Sequence, residues 1–287
     1  MAEGFVYVRN PYYPNLVTKF SLDPDVVDII GFCTKNPRPL LKNIDVLNPY
    51  GQFWYVSITG LGREYEPFVP DKEEVIKDFI AISDKVGARA MGWRYTPIII
   101  DEKHDVAHHI ATFEYIAMRL EGYARLAVFG FLDLYPRLRK LHPDLHDASD
   151  EEKIILAKAF REIAKKHGLD LRLCSKEKWL AQYDIDVDGC MRISDYEASI
   201  GEKLDLKNPN PSRKNYCACY LSNDIGSYNS CGHGCLYCYA NDDRVSTLKN
   251  ISLHDDDSPL LIGNIGPNDK IREAKQVSLR KRQLLLI

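Results

Sequence analysis

Cys231-Gly-His-Gly-Cys235-Leu-Tyr-Cys238 places three thiols within one short stretch at the spacing C-x3-C-x2-C. Thiolates are soft ligands that select zinc or iron–sulfur centres. Gly232 and Gly234 relieve the backbone where so short a loop must curl around a centre. Five of the eight cysteines fall between positions 217 and 238. In a large chain from a reducing compartment, such clustering reads as metal or redox chemistry rather than a disulfide framework. Ligand counting leaves two forms open. A closed zinc site needs four donors, and His233, Cys217 or Cys219 supplies the fourth; a 4Fe-4S cluster held by three cysteines keeps one iron open for a small molecule. Cys217 and Cys219 form a C-x-C pair that reads as a second metal site or as support for the loop. Cys33, Cys174 and Cys190 are scattered and read as small buried hydrophobes.

The elements that position this loop follow from periodicity. Short β-type runs at residues 29–33, 53–59, 90–94, 126–132 and 171–174 alternate with helical patterns, the signature of βα units and a parallel sheet. Their nearly continuous hydrophobicity suits strands covered on both faces. Asp71, following Pro70 and three residues before Glu74, starts a helix that buries Val75, Ile76, Phe79 and Ile80. Ile110, Phe113, Ala117 and Leu120 mark the next helix. Ser149 and Glu152 form a capping box for a third, whose apolar face carries Leu156, Ala159, Phe160 and Ile163, with Gly168 at its exit. Five such strands before residue 180 predict an α/β fold of the (β/α) TIM-like barrel type. Residues 1–207 are expected to form the barrel core. Residues 208–287, rich in Asn, Pro, Ser, Gly, Cys and Tyr, are expected to be an irregular cluster-binding extension packed on it, since a metal can order a segment with little core of its own.

Composition bounds the partners. At 287 residues with 45% hydrophobic and 28% charged content, intrinsic disorder is excluded. The formal net charge of −3, from 38 Lys+Arg against 41 Asp+Glu, gives no general pull toward nucleic acid, so direct nucleic-acid binding is not expected. The chain shows no apolar run of membrane-spanning length, and Met1-Ala2-Glu3-Gly4 lacks the pattern of a secretory signal. The expected location is the cytoplasm, without a membrane partner.

The three cysteines, with Tyr237 just before the last, resemble the radical S-adenosylmethionine (SAM) motif. More of the chain resembles a family of bacterial barrel proteins that carry this motif near the C-terminus. The resemblance rests on GFVYVRNPYYP (4–14), TKNPRP (34–39), ITGLG (58–62), WRYTPI (93–98), FLDLY (131–135), CACYLSNDIGSYNSCGHGCLYCYAN (217–241) and DSPLLIG (257–263). It implies a 4Fe-4S cluster on Cys231, Cys235 and Cys238, SAM bound at the open iron, and reductive cleavage of SAM to a 5′-deoxyadenosyl radical that acts on a small-molecule substrate. It also implies an electron donor such as flavodoxin or ferredoxin, and a place for Tyr237 near the adenine. Queuine lyase, which releases 7-aminomethyl-7-deazaguanine (preQ1) during queuosine salvage, is the most specific activity that the resemblance suggests. Two departures stand out. The family begins with another strand ahead of the VRNP segment, so the barrel here is expected to lack its first strand. Thr96 occupies a position where the family pattern carries an acid.

Barrel enzymes place function at the C-terminal ends of strands. Thr59 and Gly60 follow Phe53–Ile58 of the second run, and Gly60 would let backbone approach the SAM methionine, against an ordinary loop role. Arg94 is placed to bind a carboxylate, against a structural ion pair. Asp133 and Glu177 are substrate-binding candidates for a guanine-like edge, against helix capping or a surface position. His104, His108 and His109 include an i, i+4 pair but no completing zinc-protease motif, and read as a solvated helix face.

Overall fold

The computed structural model describes residues 3–206, 219–220 and 223–280. In chain order these form strands β1 (Phe5–Arg9), β2 (Leu16–Ser21), β3 (Ile29–Thr34), β4 (Gly51–Ser57), β5 (Met91–Ile98), β6 (Leu126–Phe131), β7 (Asp170–Leu173) and β8 (Lys270–Glu273). The helices are α1 (Arg38–Leu41), α2 (Lys72–Val86), α3 (Val106–Arg119), α4 (Pro136–Leu141), α5 (Asp150–Lys166), α6 (Ile193–Ile200) and α7 (Arg244–Ser252). Two compact units divide the chain: Met1–Asp28, Arg63–Val69 and Ser222–Ile287 make the first, and Ile29–Gly62 with Pro70–Leu221 the second.

In the second unit, β3 to β7 lie parallel in chain order. Phe53 to Val56 of β4 are buried in succession, and so is every residue of β6, as strands covered on both faces require. One face packs Trp54, Val56, Trp93, Tyr95 and Phe129 against Ile76 and Phe79 of α2, Phe113 and Ile116 of α3 and Phe160 of α5. The Phe113 and Phe160 rings stack 4.0 Å apart. Each large apolar side chain so buried contributes about 1.5–3 kcal/mol. The opposite face carries Phe53, Tyr55, Leu126 and Val128, packed with Cys190, Cys219 and Tyr196 of α6. The helices start where their caps dictate. Asp71 accepts the Glu73 N–H at α2, and the Ser149–Glu152 capping box opens α5, which exits at Gly168 with φ +67°.

In the first unit, β1 and β2 pair antiparallel from Phe5↔Ser21 to Arg9↔Val17, and β8 joins β2 in parallel. Asn10 Oδ1 accepts the N–H groups of Tyr12 and Tyr13 and turns the chain between β1 and β2. Arg9 clamps Asp269 with two bonds of 2.6 and 2.8 Å, tying β1 to the segment before β8.

The fold is α/β, but the expected (β/α) TIM-like barrel, lacking its first strand or not, does not form. A barrel needs consecutive parallel strands joined by crossovers. The six residues between β1 and β2 permit only a hairpin, and those strands pair with β8 in a separate three-stranded sheet. The five parallel strands stay an open sheet whose second face is filled by the 190–196 segment and Cys219. No helix among the described residues is long and apolar enough to cross a membrane.

Candidate metal centre

Within the first unit, the 231–238 loop is fixed through its backbone. Phe68 N–H donates to His233 O at 3.1 Å, Leu236 N–H to Tyr65 O at 2.9 Å, and Cys238 N–H to Cys235 O at 3.0 Å. Asn241 Nδ2 donates to Cys231 O at 2.6 Å, and the Asn229 amide pairs with Asp242 at the base of the loop. Gly234 holds φ +65°, a conformation that favours glycine, and a Cβ there would press on the Phe68 ring at 3.0 Å. Arg244 of α7 covers the same ring at 4.0 Å. The Tyr237 hydroxyl donates a short hydrogen bond to Glu66 Oε1. Burial, then the Glu66 carboxylate, pushes the Tyr237 phenol above its ordinary value, so it stays a donor.

Cys231 is exposed, and Cys235 and Cys238 are half-buried. Cys231 Sγ lies 3.2 Å from His233 Nδ1. The thiols are not drawn to one point: among the described residues no group of three or more His, Cys, Asp or Glu is placed to hold a metal ion. The donor set nonetheless fits a thiolate-bound centre in type and spacing.

The other predicted site residues lie in the second unit. Thr59 is buried, its Oγ1 accepting the Leu61 N–H at 3.3 Å. Gly60 O accepts from His108 Nε2 at 2.8 Å. Arg94 directs Nη2 to Cys174 Sγ at 3.6 Å and Nη1 to Cys190 Sγ at 3.8 Å. Burial opposes the Arg94 charge, but the nearby Cys190 and Cys174 sulfurs hold it above its ordinary value. Asp133 is exposed and sits 3.4 Å from Lys176 Nζ. Glu177 is buried, lies 3.3 Å from Lys153 Nζ, and has an Oε2 with no hydrogen-bond partner. Cys219 is buried beside Cys190. Cys217 lies outside the described residues.

Two expectations are corrected. His104 and His109 are buried rather than on a solvated face. The Asp105 cap, accepting the His108 N–H, starts α3 so that His109 heads the stripe continued by Phe113, Ala117 and Leu120. That spacing was the available signal. His109 Nε2 donates to Ile99 O, leaving Nδ1 to accept from the Tyr95 hydroxyl at 2.8 Å. Cys33 is exposed, not a core hydrophobe, and Cys174 is half-buried, whereas Cys190 is buried as expected; Cys174 and Cys190 lie in contact.

The protein family described as Domain of unknown function (DUF1848) matches residues 1–240. No curated protein matches the chain.

Proposed function

Because the chain belongs to the DUF1848 family, whose description assigns no activity, we propose from its own residues that it is a radical SAM enzyme. The observation that carries the reading is the C-x3-C-x2-C thiol set on a loop whose backbone is hydrogen-bonded at both ends. Cys231, Cys235 and Cys238 would hold a 4Fe-4S cluster, leaving one iron for SAM. When bound, that cluster supplies the electron, delivered by a donor such as flavodoxin or ferredoxin, that cleaves SAM to a 5′-deoxyadenosyl radical. The chain's own residues position and shield the reactants. The Glu66 hydrogen bond fixes the Tyr237 ring beside the loop, where its face would pack against an adenine.

In its most specific form the proposal is queuine lyase, acting on a free modified base to release preQ1. The test is anaerobic reconstitution followed by iron, sulfide and zinc analysis, then incubation with dithionite, SAM and queuine. Reductant-dependent 5′-deoxyadenosine supports the enzyme, and preQ1 among the products supports the lyase. A colourless protein with one zinc overturns both. Iron without 5′-deoxyadenosine overturns the SAM reading in favour of an electron carrier.

A further inference from the structure

The second unit brings together three cysteines that lie far apart in sequence. Cys190 Sγ lies 3.3 Å from Cys174 Sγ and 3.3 Å from Cys219 Sγ. Two different features favour negative sulfur on either side of it. Cys174 faces the Arg94 guanidinium at 3.6 Å. Cys219 Sγ accepts the backbone N–H groups of Cys190 at 3.2 Å and Met191 at 3.4 Å. Cys190 is anchored from behind, since the Tyr55 hydroxyl donates to its carbonyl. The arrangement does not suit one shared zinc ion. Among the described residues no group of three or more His, Cys, Asp or Glu side chains is placed to hold a metal ion, and Arg94 brings a positive charge against two of the sulfurs.

We propose that Cys174, Cys190 and Cys219 form a peroxide-oxidisable thiol relay, with Cys174 as the attacking sulfur, Cys190 as the resolving one and Arg94 as the positioning residue. The Cys174 thiolate attacks a hydroperoxide oxygen: an S–O bond forms, the O–O bond breaks, and the departing alkoxide takes a proton. Cys190 then attacks the Cys174 sulfenic sulfur. The S–S bond forms as the S–O bond breaks, and hydroxide leaves with the Cys190 proton as water. Two thiols lose two electrons and two protons, and one hydroperoxide becomes an alcohol and water. Reaching the ~2.05 Å of a disulfide needs an approach of about 1.2 Å from the present contact. Cys219 is placed to attack Cys190 next, moving the disulfide inward and releasing Cys174 as thiolate.

Protonation agrees with these roles. The hydrogen bond from Cys190, then the Arg94 charge, holds Cys174 below the ordinary thiol range despite burial. Cys190 is held above it by its hydrogen bonds to Cys174 and Cys219 and by burial. This inference is independent of the SAM reading, because it involves none of the loop cysteines and is read from thiol oxidation alone.

The test treats the full-length chain with stoichiometric hydrogen peroxide, blocks remaining thiols with N-ethylmaleimide and maps peptides without reduction. The expected product in the parent chain is a Cys174–Cys190 or Cys190–Cys219 linkage. In Cys190→Ser, Cys174 should instead be trapped by dimedone as the sulfenic acid, and Arg94→Met should slow Cys174 oxidation by about tenfold or more. Circular dichroism establishes that each variant is folded. Cys174 and Cys190 remaining alkylatable after the exposed Cys33 is fully oxidised would overturn the proposal. So would a folded Arg94→Met variant that oxidises at the parent rate.

Discussion

Tyr237 hydrogen-bonds Glu66 across 171 residues of chain, joining the cysteine loop to the 63–69 segment by side chains where Phe68–His233 and Leu236–Tyr65 join them by backbone. Glu66 is only 7% exposed, so deleting its carboxylate removes a charge-assisted hydrogen bond from the half-buried Tyr237 phenol, at a cost of about 1–3 kcal/mol. Glu66→Ala should lower the denaturation midpoint and reduce iron bound per chain after reconstitution, whereas Glu66→Gln, which keeps an acceptor, should recover most of both. Equal iron loading and stability in Glu66→Ala and the parent would show that the pair does not organise the loop.

Gly60 is explained by what stands where its side chain would be. A Cβ would meet the Tyr95 hydroxyl and lie 2.9 Å from His109 Nδ1, both in a buried hydrogen-bonded pair. Gly60→Ala should therefore destabilise the second unit by roughly 1–3 kcal/mol through overpacking. Adding Tyr95→Phe removes the nearest obstructing atom and should make the two changes less than additive in guanidinium unfolding. Strict additivity would mean that the strain lies elsewhere.

The features legible in the sequence were local. Continuous apolar runs located β3 to β7, and the Ser149-x-x-Glu152 pattern located the start of α5, because covered strands and helix caps are written within a few residues. Closure into a barrel was not legible. It depends on further strands joining the parallel sheet, and β1 and β2 instead form a hairpin in a separate sheet. At the site, Cys231, Cys235 and Cys238 are recognisable by spacing alone. The meeting of Cys174, Cys190 and Cys219, by contrast, is set by packing across sequence separations of 16 and 29, which no local pattern records.

Asp195 was also invisible in sequence, yet it is fully buried at the start of α6. It accepts from Arg172 Nη1 at 2.6 Å and Nη2 at 2.9 Å, from Arg192 N–H at 3.1 Å and from Arg125. Burial disfavours its charge, but Arg172 and Arg125 outweigh burial and hold the carboxyl below the ordinary value. Asp195→Ala leaves Arg125 and Arg172 only their longer contacts to Asp170 at 3.3 Å and Asp186 at 3.8 Å and should cost up to about 3–5 kcal/mol. Asp195→Asn should cost less by keeping one acceptor. A midpoint for Asp195→Ala within experimental error of the parent would contradict this account.

His109 gives the second unit an acid-sensitive element. Burial lowers its pKa from 6.5 to about 4, so the folded chain resists a proton that the unfolded chain accepts. Between those values the unfolded state binds more protons, and stability rises with pH. The contribution is therefore complete above about pH 6.5, is lost progressively as pH falls, and is exhausted near pH 4, amounting to ~3 kcal/mol at most. Protonation at Nδ1 would also remove the acceptor of the Tyr95 hydroxyl. Thermal melts across pH 4–7 should show a falling midpoint in the parent. His109→Gln should start lower, because it loses packing, but show a flatter pH dependence over that interval. Parallel curves for the two proteins would assign the acid sensitivity to other groups.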